Sequence, residues 1–113
     1  MDGFEETLRK LAVRDDAFVE GVLARERNGE AGLDPREDAL VSIGALVALD
    51  ATIPSYVSAV QRALACGVRR SEIVDALVSV IPSVGVARAV SAAPKLGLAL
   101  GVDVLADLER VGS

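Results

Sequence analysis

The chain has 113 residues, 51% of them hydrophobic and only 3% aromatic, with 17 acidic against 12 basic side chains for a net charge of -5. That length suits one domain spanning residues 1–113, since two halves would each be too small to seal a core, and the acidic balance repels phosphate, which argues against nucleic acid or an anionic membrane as partner. There is no histidine and a single cysteine, Cys66, which removes the imidazole base, the Ser-His and Cys-His pairs, the usual neutral metal ligand and any intramolecular disulfide. No metal and no cofactor are expected.

Apolar spacing predicts helix nearly throughout, and no segment shows the sustained alternation of a strand. The start, Met1-Asp2-Gly3-Phe4-Glu5-Glu6, is acidic where a signal peptide needs positive charge, so a cytoplasmic location is expected. Asp2 is placed to cap a first amphipathic helix in which, from Phe4 on, Leu8, Leu11 and Ala12 fall on one face. After Asp15-Asp16, the group Phe18, Val19, Val22 and Leu23 marks a second helix, and Glu26-Arg27-Asn28-Gly29-Glu30 reads as a loop.

The third helix has the clearest start: Asp34 as cap, Pro35 at the first helical position and Glu37 three residues after the cap. It continues through ALVSIGALVAL, residues 39–49, apolar on every side except Ser42. A helix apolar all round has to be covered all round, and so short a chain has few elements to do it. Part of this surface is therefore expected to lie against another subunit.

A break at Asp50-Ala51-Thr52-Ile53 precedes Pro54 and a fourth helix that runs to Cys66, with Gly67 as its left-handed terminator. Ser71 is expected to cap a fifth helix, with Glu72 and Asp75 in its first turns and Pro82 stopping it. A sixth segment starts at Ser83, where Pro94 should kink or divide it, and a last short helix from Val102 to about Val111 carries Val104, Leu105 and Leu108 on one side. The longest charge-free run, Ala76 to Ala87, has 12 residues and a proline inside it. A membrane span needs about 20, so none is expected.

From Leu33 to about Pro94 the landmarks LDPREDALVSIGALVAL, ALACGV (63–68), RRSEIVDAL (69–77) and PSVGVARAV (82–90) resemble the carboxymuconolactone decarboxylase and alkylhydroperoxidase-like family. The resemblance implies an all-α domain of six to seven helices, with a central apolar helical hairpin packed against its counterparts in a homotrimer or homohexamer. It also implies a pocket near the subunit interface. The alkylhydroperoxidase-like branch uses a C-x-x-C pair, a His four residues on and a Glu on the preceding helix. Here Thr52-Ile53-Pro54-Ser55 stands at the thiol positions, Ala59 or Ser58 at the His, and Ala39 or Leu40 at the Glu. The decarboxylase branch also looks to a His on this helix, which is missing too.

Asp50, Thr52, Ser55, Tyr56, Ser58 and Arg62 gather where the family's pocket would lie. Such a group suits a small organic acid, with Arg62 as bidentate clamp, Tyr56 as hydroxyl donor and Thr52, Ser55 and Ser58 as binding hydroxyls. The plainer alternative makes Thr52 and Ser55 helix-start residues, Tyr56 a satisfied ring and Arg62 half of a surface ion pair. Similarly Cys66 reads as a small packing side chain and Asp38 as a complement to the helix dipole.

Two functions follow. One is a ligand-binding or structural homo-oligomer that keeps the fold without the chemistry. The other is a cofactor-independent decarboxylase, lyase or isomerase acting on a small organic acid or lactone, with Asp50 as base, Tyr56 as acid and Arg62 as clamp. A thiol peroxidase built on Cys66 is a more remote third.

Overall fold

The computed structural model describes residues 3–27, 32–102 and 104. All six elements within them are helices: α1 (Gly3–Ala12), α2 (Asp16–Arg27), α3 (Pro35–Ala48), α4 (Ile53–Ala65), α5 (Arg70–Val84) and α6 (Val86–Ala99). The all-α expectation holds, and no strand occurs among the described residues. The chain divides into two compact units, Met1–Pro35 and Arg36–Ser113.

In the first unit α1 packs against α2, and ion pairs brace α1 along its own length. Glu6 meets Arg9 at 3.3 Å and Lys10 at 3.7 Å one turn on, and the Lys10 ammonium sits 5.4 Å from the centre of the Phe18 ring. The Phe18 backbone N–H donates to Asp15 Oδ1 at 3.1 Å, which makes Asp15 the side-chain cap of α2. Glu26 and Arg27, expected in a loop, complete the last turn of α2. The remainder of that loop and the Asp2 cap lie outside the described residues.

The second unit holds the core: Ala39, Ile43 and Val47 from α3, Tyr56, Val60 and Ala63 from α4, Val68, Ile73 from α5, and Ala92, Leu96 and Leu100 at and after α6. On α3, α4 and α6 these positions recur three or four residues apart, the spacing of one buried stripe. Burying an isoleucine or leucine completely, as happens to Ile43, Ile73 and Leu96, contributes about 1.5–3 kcal/mol each. Gly44 lets α3 approach α5, since a Cβ there would stand 3.0 Å from Val80 Cγ1.

Helix ends explain the boundaries. Gly67, at φ +86°, follows α4; its N–H bonds to the Leu64 carbonyl and that of Val68 to Ala63, the Schellman closure. Gly101 ends α6 in the same way, through Leu98 and Gly97.

Three expectations are corrected. The fifth helix starts at Arg70, and its cap residue is Arg69 instead of Ser71; Glu72 reaches back to the Arg69 N–H at 2.9 Å, which satisfies a first-turn donor two residues earlier than foreseen. Pro82 lies inside α5, which continues to Val84. It stops at Gly85, whose φ of +91° and ψ of 157° is backbone that essentially glycine alone adopts. Nor does Pro94 divide α6, which runs through it to Ala99. A proline removes one N–H from the ladder, and buried neighbours such as Ala92 and Leu96 hold the helix together across that gap. Of the last expected helix, only Val102 and Val104 fall in the described residues.

Candidate functional site

The six residues singled out from sequence fall on two faces of α4 and its approach. Ser55, Ser58 and Arg62 are three and four residues apart and share an outer stripe, whereas Tyr56, Val60 and Ala63 form the buried one. The structure brings Ser55, Ser58 and Arg62 together with Ser42 and Leu46 of α3 and with Ala59 around an open cleft of ≈ 380 Å³. Asp38, on the first turn of α3, pairs with Arg62. Ser42 is turned to its own helix, donating its hydroxyl to the Asp38 carbonyl at 3.0 Å. Thr52 is the exposed N-cap residue of α4 and makes no side-chain cap hydrogen bond.

Asp50 and Tyr56 belong to a second cluster. Asp50 occupies the left-handed position after α3, at φ +52°, with its N–H bonded to the Val47 carbonyl and that of Ala51 to Leu46. This is the Schellman closure again, with an aspartate where α4 and α6 have glycine. Its Oδ1 accepts from Ser91 Oγ at 2.8 Å and from Lys95 Nζ at 3.2 Å, and Arg88 stands 3.8 Å from Oδ2. Lys95 also donates to the Ala51 carbonyl at 3.1 Å, so α6 grips the α3–α4 turn twice. The Ser91 hydroxyl first, and then the Lys95 ammonium, hold the Asp50 carboxyl below its ordinary range.

Tyr56 is completely buried and its hydroxyl has no hydrogen-bond partner among the described residues. Burial, and secondarily the Asp50 charge, push its phenol up. A strained non-glycine residue, an unpartnered buried hydroxyl and two displaced pKa values thus meet in one place.

Sequence reasoning missed Arg88, Ser91 and Lys95. Their spacing, three and then four residues along α6, is a polar stripe that was readable in the sequence. Their pairing with Asp50 across about forty positions was not. A third ionic group, Arg36 Nη2 to Glu72 at 2.7 and 2.8 Å with Arg69 Nε at 3.2 Å, ties α3 to α5. The backbone N–H of Arg69 and the Arg36 guanidinium lower the Glu72 carboxyl from 4.5 to about 2. Cys66 is half-buried at the end of α4. No group of His, Cys, Asp or Glu among the described residues has the arrangement to hold a metal ion, and no described helix is long and apolar enough to cross a membrane.

No curated protein and no solved structure matches the chain. The sequence pattern of the carboxymuconolactone decarboxylase family matches residues 15–96, starting upstream of α2 and ending inside α6. That is well over half of the chain and includes both polar clusters, and the protein belongs to the carboxymuconolactone decarboxylase family.

Proposed function

We propose that the protein is a homotrimer or homohexamer that binds a small organic acid and works without the thiol and imidazole chemistry of its relatives. One observation carries the reading: Ser55, Ser58 and Arg62 line a single cleft between α3 and α4. A guanidinium offers five donors in a fixed fork, the geometry that grips a carboxylate, and Arg62 brings one to the cleft lining while pairing with Asp38. The sequence itself holds one cysteine and no histidine, which leaves no C-x-x-C pair and no imidazole for peroxide or proton chemistry.

Assembly has separate support. The outer side of α3 leaves Val41 58% and Leu49 74% exposed, with Ala45 and Ala48 exposed between them. A contiguous apolar strip of this kind suits a surface that further copies cover.

A cofactor-independent lyase or isomerase is the second reading, favoured by the buried, unpartnered Tyr56 hydroxyl and the Asp50 charge that acts on it. The direction of both pKa shifts weighs against it: a stabilised carboxylate is a weaker base, and a phenol pushed up is a weaker acid. Arg62 also belongs to the other cluster.

Titration calorimetry with small mono- and dicarboxylic acids tests the first reading, with each acid and its lactone followed in parallel by NMR for turnover. The expected result is saturable binding that weakens by about tenfold or more in Arg62→Ala, with no product formed. Turnover lost in Tyr56→Phe would establish the second reading instead, and binding indifferent to Arg62→Ala would remove the cleft from the first.

A further inference from the structure

We propose that a trough between α3 and α5 is filled by α6 of a neighbouring copy, so that the chain joins itself head to tail through two unlike faces. This rests on the assembly reading above and names the surfaces that meet.

The trough is open, has a volume of ≈ 680 Å³, and is walled by Leu40, Val41 and Ala45 on one side and by Ala76 and Val80 on the other. Gly44, Ala76 and Ser79 leave it empty where larger side chains would fill it. It takes in part of the exposed strip of α3, through Val41 and Ala45. Its lining is also acidic: Glu72 is held by Arg36 and Arg69, whereas Asp75 is exposed and makes no ion pair among the described residues.

Helices pack by setting a row of side chains four residues apart into a neighbour's groove. Along α6 such a row faces outward, with Val86 68% and Val90 66% exposed and Pro94 and the exposed Leu98 continuing the spacing. The same helix carries Arg88 and Lys95 and no acid, so even with Asp50 between them one positive charge is left to meet an acidic trough. The outward apolar rows of α3 and α5, Val41 with Leu49 and Val74 with Val78, belong to the helices that wall the trough. Packing either row on its own counterpart across a two-fold axis would turn two hollows and their acids towards one another. Ridge and trough lie on different helices, so each copy can give one and receive the other, and a contact of that kind closes into a ring.

Two variants of the full chain, both at exposed positions, read the contact by light scattering on a sizing column. Val86→Glu with Val90→Glu spoils the ridge and keeps the trough; Ala45→Glu with Ser79→Glu spoils the trough and keeps the ridge. Each alone should fall to about one third of the native mass, the loss of a three-membered ring, with the helical circular dichroism kept. An equimolar mixture should recover a larger species holding both chains in equal number, because one intact ridge still meets one intact trough. A contact between like faces would recover nothing on mixing. The proposal is overturned if either variant keeps the native mass, or if the mixture stays at the mass of its parts. Both of those results leave the assembly reading standing, whereas a native chain that is monomeric at all concentrations removes the two together.

Discussion

The ends of α3 and α4 close by the same pair of backbone hydrogen bonds, yet one places Asp50 in the left-handed position and the other Gly67. Glycine adopts that conformation freely, whereas an L-residue loses about 1–2 kcal/mol there. What α3 gets in exchange is a carboxylate aimed at Ser91, Lys95 and Arg88, which ties the α3–α4 turn to α6. Gly67 has no such task, and a Cβ built on it would touch nothing within 4 Å. The helix end that ties the α3–α4 turn to α6 accepts strain, and the one that merely ends a helix avoids it. Arg14, which closes α1 at φ +54°, is a third case: its side chain makes a loose 3.8 Å contact with Asp16 and is otherwise exposed.

Substitutions at these two ends separate backbone cost from side-chain gain. Gly67→Ala meets no steric obstacle, so its whole effect is conformational, and denaturant unfolding should show a loss of about 1–2 kcal/mol. Asp50→Ala should be less stable than Asp50→Gly, because both lose the α6 contacts and only alanine keeps the strain; equal midpoints would mean that the position carries no strain. Lys95→Met removes one hydrogen bond to Asp50 and one to the Ala51 carbonyl, and should lower stability by about 1 kcal/mol.

The smallest effect expected is electrostatic. Glu72 titrates at about 2 in the folded chain against 4.5 ordinarily. Because the folded value is the lower, the stability it contributes is complete above about 4.5 and disappears as pH falls towards 2. The melting temperature of the native chain should therefore approach that of Glu72→Gln over that window, and a constant gap between them would show that the carboxylate is not responsible. The Asp50 carboxyl, also lowered, acts in the same direction below its ordinary range.

The fold and half of the cleft were legible in local signals along the chain. Pro35 does open α3 and Gly67 does end α4, since each signal is confined to one turn of chain. Ser55, Ser58 and Arg62 share a stripe because helical spacing alone puts them there. Ser71 misled because the usual cap residue was present in the sequence while the acceptor for the first-turn N–H came from Glu72. Pro82 misled because a proline removes a single N–H from the ladder and α5 continues past it to Val84, while α6 runs undivided through Pro94 between the buried Ala92 and Leu96. Long-range pairs were beyond reach: Asp38 with Arg62, Arg36 with Glu72 and Asp50 with Lys95 depend on how helices are set side by side.

The two sides of α3 bear on the assembly. Ala39, Ile43 and Val47 are sealed in the core, whereas Val41, Ala45, Ala48 and Leu49, equally apolar, are exposed. The proposed assembly rests on this exposed apolar strip. Light scattering on the eluting peak from a sizing column tests this most directly. The account expects the mass of a trimer or hexamer for the native chain, shifted to a monomer by Val41→Asp with Leu49→Asp while the helical circular dichroism is kept. A native chain that stays monomeric at all concentrations would contradict it.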